Sequence, residues 1–226
     1  MMTKLRRHLP DIVQYVFLSL AAFLSIFPFI WMVIGATNST SEIIRGKVTF
    51  GTALFDNIAS FFAQVDVPLV FWNSVKIALV GTALTLLVSS LAGYGFEMFR
   101  SKLRERVYTV ILLTLMVPFA ALMIPLFMLM GQAGLLNTHI AIMLPMIASA
   151  FIIFYFRQAS KAFPTELRDA AKVDGLKEWQ IFFYIYVPVM RSTYAAAFVI
   201  VFMLNWNNYL WPLIVVQDEA HRPIMV

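Results

Sequence analysis

The chain has 226 residues, of which 61% are hydrophobic and 13% charged, with a net charge of +5 and a mean hydropathy of +0.81. The charged share is about half the ~25% of soluble domains, and no water-soluble fold of this length can hide so much apolar surface, so part of it must face lipid. The lack of cysteine excludes disulfides, thiolate nucleophiles and Cys-ligated metals, and the three histidines, His8, His139 and His221, are far apart in sequence with no metal-ligand spacing.

Five apolar stretches approach the roughly 20 residues that a membrane span needs. The first, 12–36, is uncharged and contains Pro28. It is too long for the hydrophobic region of a signal peptide and no clear A-x-A site follows, so it reads as a retained signal anchor. A segment of mixed polarity, 37–71, comes next, with Gly46, Gly51 and Pro68 as breakers. It separates an N-terminal part, 1–70, from a core, 71–226. Within the core lie 77–96, 107–130 with Pro118 and Pro125, 140–156 with Pro145, and 194–213, which ends in "LNWNNYLWPL". Interior proline is tolerated in spans because neighbouring helices, side chains and water satisfy the freed carbonyls. The expected fold is all-α, a polytopic transmembrane helical bundle.

Charge orients the spans. Lys4, Arg6 and Arg7 precede the first span, while Arg100, Lys102, Arg104 and Arg106 follow the second. Arg157, Lys161, Arg168, Lys172, Lys177 and Arg191 lie between the fourth and fifth, whereas the opposite side holds only Arg45, Lys47, Lys76 and Arg222. The positive-inside bias therefore predicts a cytoplasmic N-terminus and two cytoplasmic basic loops. Basic charge on this pattern speaks of topology and not of nucleic acid.

The spans are almost free of ionisable groups, with Lys76 and Glu97 at their edges. Intramembrane carboxylates or histidines would mark a proton- or ion-driven carrier, and an intramembrane enzyme would need a nucleophile–base pair or metal ligands at membrane depth. No G-x-x-x-x-G-K-[ST] loop is present, so any energy must come from a partner.

One stretch departs from this background: "ELRDAAKVDGLKEWQIFFYIYVPV", Glu166 to Val189. Pro164 suits a first helical turn, Thr165 a cap, and Glu166 the positive end of the macrodipole. Leu167, Ala170 and Ala171 share a narrow face, Arg168 and Lys172 another. Gly175 supplies a left-handed terminus. By pattern alone the stretch fits either a docking helix or an amphipathic connector lying on the membrane surface.

Its spacing resembles the cytoplasmic signature of the inner-membrane permeases of binding-protein-dependent ABC importers: Glu-Ala-Ala, three residues, Gly, nine residues, Ile, one residue, Leu-Pro. Here Asp169-Ala170-Ala171, Gly175, Ile185 and Val187-Pro188 stand at those positions, with Asp for Glu and Val for Leu. "FWNSVKIAL", "LMVPFAALMIPL", "GLLNT" and "NWNNYLWPL" resemble the branch that imports carbohydrates, as in the maltose-type permeases.

The resemblance implies a permease subunit of an ATP-driven sugar importer in the bacterial inner membrane, not itself an enzyme. Its coupling helix would offer Asp169, Ala170, Ala171 and Gly175, beside Glu166 and Leu167, to an ATPase subunit. Motion would pass through the bend before Pro188 into the spans. It also implies an ABC ATPase pair carrying the ATP and Mg, a second permease, an extracytoplasmic solute-binding protein and no cofactor on this chain. A sixth span is expected after the last outer loop, where this sequence ends at "HRPIMV". Asn205, Trp206, Asn207, Asn208 and Tyr209 are candidates for the sugar pathway, since rings stack on sugars and amides bond hydroxyls, and equally for an interfacial aromatic belt. Gln132 and Asn137 fit helix caps. An importer of a non-sugar solute, a membrane enzyme acting on lipid, and a non-transporting scaffold are the competing readings.

Overall fold

The computed structural model describes residues 2–226, with side chains from Asp11 onward. The side chains of Lys4, Arg6, Arg7 and His8 lie outside the described residues. No strand occurs among those described. The chain divides into two compact units, Met1–Asp66 and Val67–Val226.

The first unit begins with α1 (Met2–Ala36), which Pro28 does not interrupt, and whose part Asp11–Ala36 is long and apolar enough to cross a membrane. Its terminal carbonyls find side-chain donors, as any helix end requires. Thr37 Oγ1 and the Asn38 amide both donate to the Ile34 carbonyl, at 2.7 and 2.9 Å. Two short helices follow, α2 (Thr40–Ile44) and α3 (Leu54–Gln64). The Asn57 amide on α3 donates to the carbonyls of Ala36 and Asn38, at 2.9 and 3.0 Å, and ties α3 to the end of α1.

The second unit is organised by α4 (Val67–Met98), 32 residues long. At 1.5 Å per residue it spans about 48 Å, more than a bilayer core of ~30 Å. Its buried face carries small or hydroxyl residues, including Ala78, Gly81, Thr82, Thr85, Ser89 and Gly93. This face lets α7 (His139–Ile147), α8 (Ala150–Ser160) and α12 (Arg191–Trp206) approach closely.

The spans predicted as continuous are broken. In place of one helix over 107–130, α5 (Lys102–Leu113) runs into a 3₁₀ turn at Thr114–Met116, and α6 (Phe119–Gln132) leaves at 105°. Pro118 caps α6 in an extended-ψ conformation that no helix interior allows. The fourth stretch bends by 43° between α7 and α8. The fifth stops at Asn207 and resumes as α13 (Leu210–Val215). Among the described residues two unbroken helices have span length, and counting each bent pair as one span gives five.

Pro145, inside α7, is compensated by a specific partner. Proline has no N–H, so the Ala141 carbonyl loses its intrahelical donor. The indole N–H of the fully buried Trp211 donates to that oxygen instead, at 3.0 Å. Trp211→Phe therefore leaves a buried carbonyl unpaired, a loss of about 1–3 kcal/mol. The expected result is a lower melting temperature of the solubilised complex, partly recovered when Pro145→Ala restores an intrahelical donor. An unchanged melting temperature for Trp211→Phe would contradict this account.

Candidate functional site

The signature stretch forms α9 (Thr165–Val173). Pro164 occupies the N-cap position, so Thr165 is the first helical residue and not the cap. At the other end Gly175 adopts φ +81°, its N–H donates to Lys172 at 3.0 Å, and the Leu176 N–H donates to Ala171 at 3.0 Å. This pair of bonds is a Schellman terminus, which requires the left-handed residue that glycine supplies.

Glu166, Leu167, Asp169 and Ala170 are exposed, whereas Ala171 is 4% exposed and faces inward. The exposed surface of this stretch is thus the first two turns of α9, continued by Val173. Pro188 lies in the short α11 (Val187–Val189) and is exposed. Between it and α10 (Glu178–Ile181) runs a π-helical turn, Phe182–Tyr186. The chain then turns by 82° into α12, so the sharp bend follows Pro188, whereas the sequence-based expectation placed it before that residue. A π turn of this kind is a frequent mark of functional segments.

The inner face of α9 is pinned. Arg168 donates twice to the Glu178 carboxylate, at 2.7 and 3.3 Å, and Lys172 joins it at 2.9 Å. The Tyr94 hydroxyl on α4 donates to the same carboxylate at 3.2 Å. The Arg168 guanidinium also lies 4.7 Å over the Phe99 ring. Burial alone would lower the Arg168 guanidinium, yet the Glu178 carboxylate holds it above its ordinary value. Nearby, Arg157 bridges Glu97 and Glu105 at 3.4 and 2.6 Å and sits 4.0 Å over the Tyr108 ring. Arg100 pairs with Glu97 as well.

The aromatic–amide cluster separates into different roles. The Asn205 amide donates to Thr82 Oγ1 at 3.3 Å. With Asn208, Thr85 and Ser149 it lines a cavity of about 250 Å³ whose remaining wall is Met146, Ile152, Val201 and Leu204. The cavity lies beside the α7–α8 break, where the Met146 carbonyl accepts from Thr85 Oγ1 at 3.3 Å. Asn207 turns away, and its amide donates to its own helix at Met203, at 2.9 Å. Trp206 packs between Phe71 and Phe202, with ring centroids at 5.9 and 5.7 Å. Tyr209 is exposed.

Several residues do work that sequence reading missed. The Asn73 amide clamps the carbonyls of Ala220 and Arg222, at 2.9 and 3.1 Å. Asn137, at φ +59°, exchanges bonds with Val215 and Gln217 and does not cap a helix; Thr138 does. His139 and His221, distant in sequence, bring their rings to 5.1 Å. Only "GLLNT", with its Gly and Asn before a Thr cap, gave any hint of these contacts.

Comparison with known proteins follows the same lines. Residues 85–225 match the family described as "Binding-protein-dependent transport system inner membrane component". The chain is 94% identical over 224 residues to the lactose transport system permease protein LacG of Rhizobium radiobacter, covering 99% of this chain and 82% of that protein. It is 37% identical to the arabinooligosaccharides transport system permease protein AraQ of Halalkalibacterium halodurans, covering 88% and 73%. It is 32% identical to the sn-glycerol-3-phosphate transport system permease protein UgpE of Pectobacterium atrosepticum, covering 92% and 77%. Among solved structures, a bacterial ABC transporter that imports the acidic polysaccharide alginate superposes with a TM-score of 0.80 at 23% identity, over 96% of this chain and 77% of that one, a likeness of fold.

Proposed function

This chain belongs to the family of binding-protein-dependent transport system inner membrane components, and from that premise we propose that its solute is lactose. It is a membrane-spanning permease subunit of an ATP-driven sugar importer, not an enzyme, and it works with a separate ATPase and a solute-binding protein. The single observation that carries the lactose reading is the 94% identity to LacG along 99% of the chain.

In this reading two copies of the ATPase, holding ATP and Mg, flank this chain and a second permease. The exposed residues Glu166, Leu167, Asp169 and Ala170 enter a cleft of one ATPase. Closure of the ATPase pair moves α9, and the bend beyond Pro188 carries that motion into α12. The N-terminus and the basic loops face the cytoplasm, as the charge bias requires.

The cavity beside Asn205 supports a neutral solute over an anionic one such as glycerol phosphate, because none of its lining residues is charged. Hydroxyl and amide groups against an apolar wall suit a sugar ring, whose edge donates and accepts while its face is apolar. Asn205→Leu removes one bonding group from that wall. The expected result is about a tenfold rise in the lactose concentration needed for half-maximal uptake, the worth of one good hydrogen bond. The test is labelled lactose uptake by the assembled transporter in vesicles. No lactose uptake by the wild-type assembly, with uptake of another solute, would overturn the assignment.

A further inference from the structure

We propose that Glu178 is a positioning residue that joins the coupling helix α9 directly to the central helix α4, so that motion reaches the core without passing only through the chain beyond Pro188. This inference rests on the reading of α9 as the ATPase-docking element. Covalently, α9 leads through α10 into the π turn, α11 and the 82° bend, a route with several points of compliance. A push on α9 would be partly absorbed there.

The Glu178 carboxylate bypasses that route. Three groups converge on it: Arg168 and Lys172 from α9, and the Tyr94 hydroxyl from α4. Arg168 is held at the same time by its position over Phe99, in the turn that follows α4. Its side chain is 13% exposed and that of Glu178 36%, so the arginine end of the ion pair is the one sheltered from solvent and salt. A planar guanidinium bonded twice to a carboxylate fixes orientation as well as distance.

Tyr94 is itself set in a ring of aromatics. Phe182 and Tyr186 of the π turn lie 5.3 and 4.8 Å from it. Its hydroxyl is therefore a fixed anchor on α4, not a mobile surface group. Further along the buried stripe of α4, which winds around the helix from Tyr94, Thr85 meets the cavity wall and Thr82 meets Asn205. One rigid helix thus runs from the carboxylate that grips α9 to the cavity beside Asn205.

The test is the ratio of sugar imported to ATP hydrolysed by the assembled transporter in proteoliposomes. Glu178→Gln keeps the shape and removes the charge that holds Arg168 and Lys172. The ratio is expected to fall about fivefold, the lower end of ordinary coupling between sites. Tyr94→Phe, which removes only the link to α4, lowers it in the same direction by less, and Glu178→Asp recovers part of the loss. If both rates fall together with the ratio unchanged, Glu178 merely supports the fold and the proposal is wrong. Cross-linking of α9 to the ATPase in the same variants separates the two readings. Cross-linking retained with a wild-type ratio overturns the role of Glu178 alone, and its absence in the wild type overturns the docking reading beneath it.

Discussion

Gly175→Val should leave the chain inserted and assembled yet abolish most sugar uptake while ATP hydrolysis continues. At φ +81° the backbone stands where a β-branched residue meets its own carbonyl, at a cost of about 1–3 kcal/mol. Nothing lies within 4 Å of a Cβ placed there, so the strain comes from the backbone and not from a neighbour. The simplest relief is to unwind the Schellman terminus, which frees the Leu176–Ala171 and Gly175–Lys172 bonds. α9 would then lose its fixed angle to α10 and deliver its motion poorly. Gly175→Asn, which tolerates the left-handed region, should retain most uptake. Measured side by side in vesicles, equal uptake by the Val variant and the wild type would remove the structural role assigned to this terminus.

Gly93→Val should act earlier, on the packing of the core. A Cβ at Gly93 would lie 2.7 Å from the Arg157 nitrogen and 2.7 Å from the Phe156 Cβ, with the Phe156 carbonyl carbon at 2.9 Å. Two of these neighbours are backbone, so no rotamer change relieves the clash, and α4 and α8 must separate. Overpacking of this kind costs about 1–3 kcal/mol, and more with a branched side chain. Separation would also pull Arg157 away from Glu97, leaving two sheltered charges with weakened pairing. The expected result is a sharp drop in recovered complex and in its melting temperature. Gly95→Ala is the matched control, since open space surrounds that position, and it should be neutral or slightly stabilising. A Gly93 variant as stable as the control would show that the α4–α8 approach is looser than described.

These two glycines show what the sequence made legible and what it did not. Gly175 could be read because its role is local: a polar helix, a glycine at its end and a fixed spacing to Ile185 and Pro188. Gly93 is one small residue in an apolar run, and its partner Phe156 is 63 positions away, which no periodicity reveals. The same contrast holds for the charges. Arg168 and Lys172 were visible as one side of a helix, but their convergence with Tyr94 on Glu178 depends on a contact across 84 positions.

Hydropathy found the apolar stretches but not their breaks. It averages over windows longer than the turn at Pro118 or the gap at Ala148 and Ser149. Proline alone did not predict which stretches bend, for Pro28 lies within an unbroken α1 while Pro118 ends one helix and starts another. The difference lies in local surroundings: a 3₁₀ turn precedes Pro118. In the aromatic–amide cluster, adjacent residues share composition but not direction. A one-residue step on a helix rotates a side chain by about 100°, which separates Asn205, beside Thr82, from Trp206, among Phe71 and Phe202.

In the proposed mechanism a separate ATPase grips the exposed side of α9. Val173, 88% exposed on that helix, is the place to test it. A photo-reactive amino acid installed there, in the transporter purified as a complex, should form a covalent adduct with the ATPase upon illumination, at a yield that changes when ATP is added. An assembled, transport-competent complex that yields no ATPase adduct from this position, with or without ATP, would contradict the account.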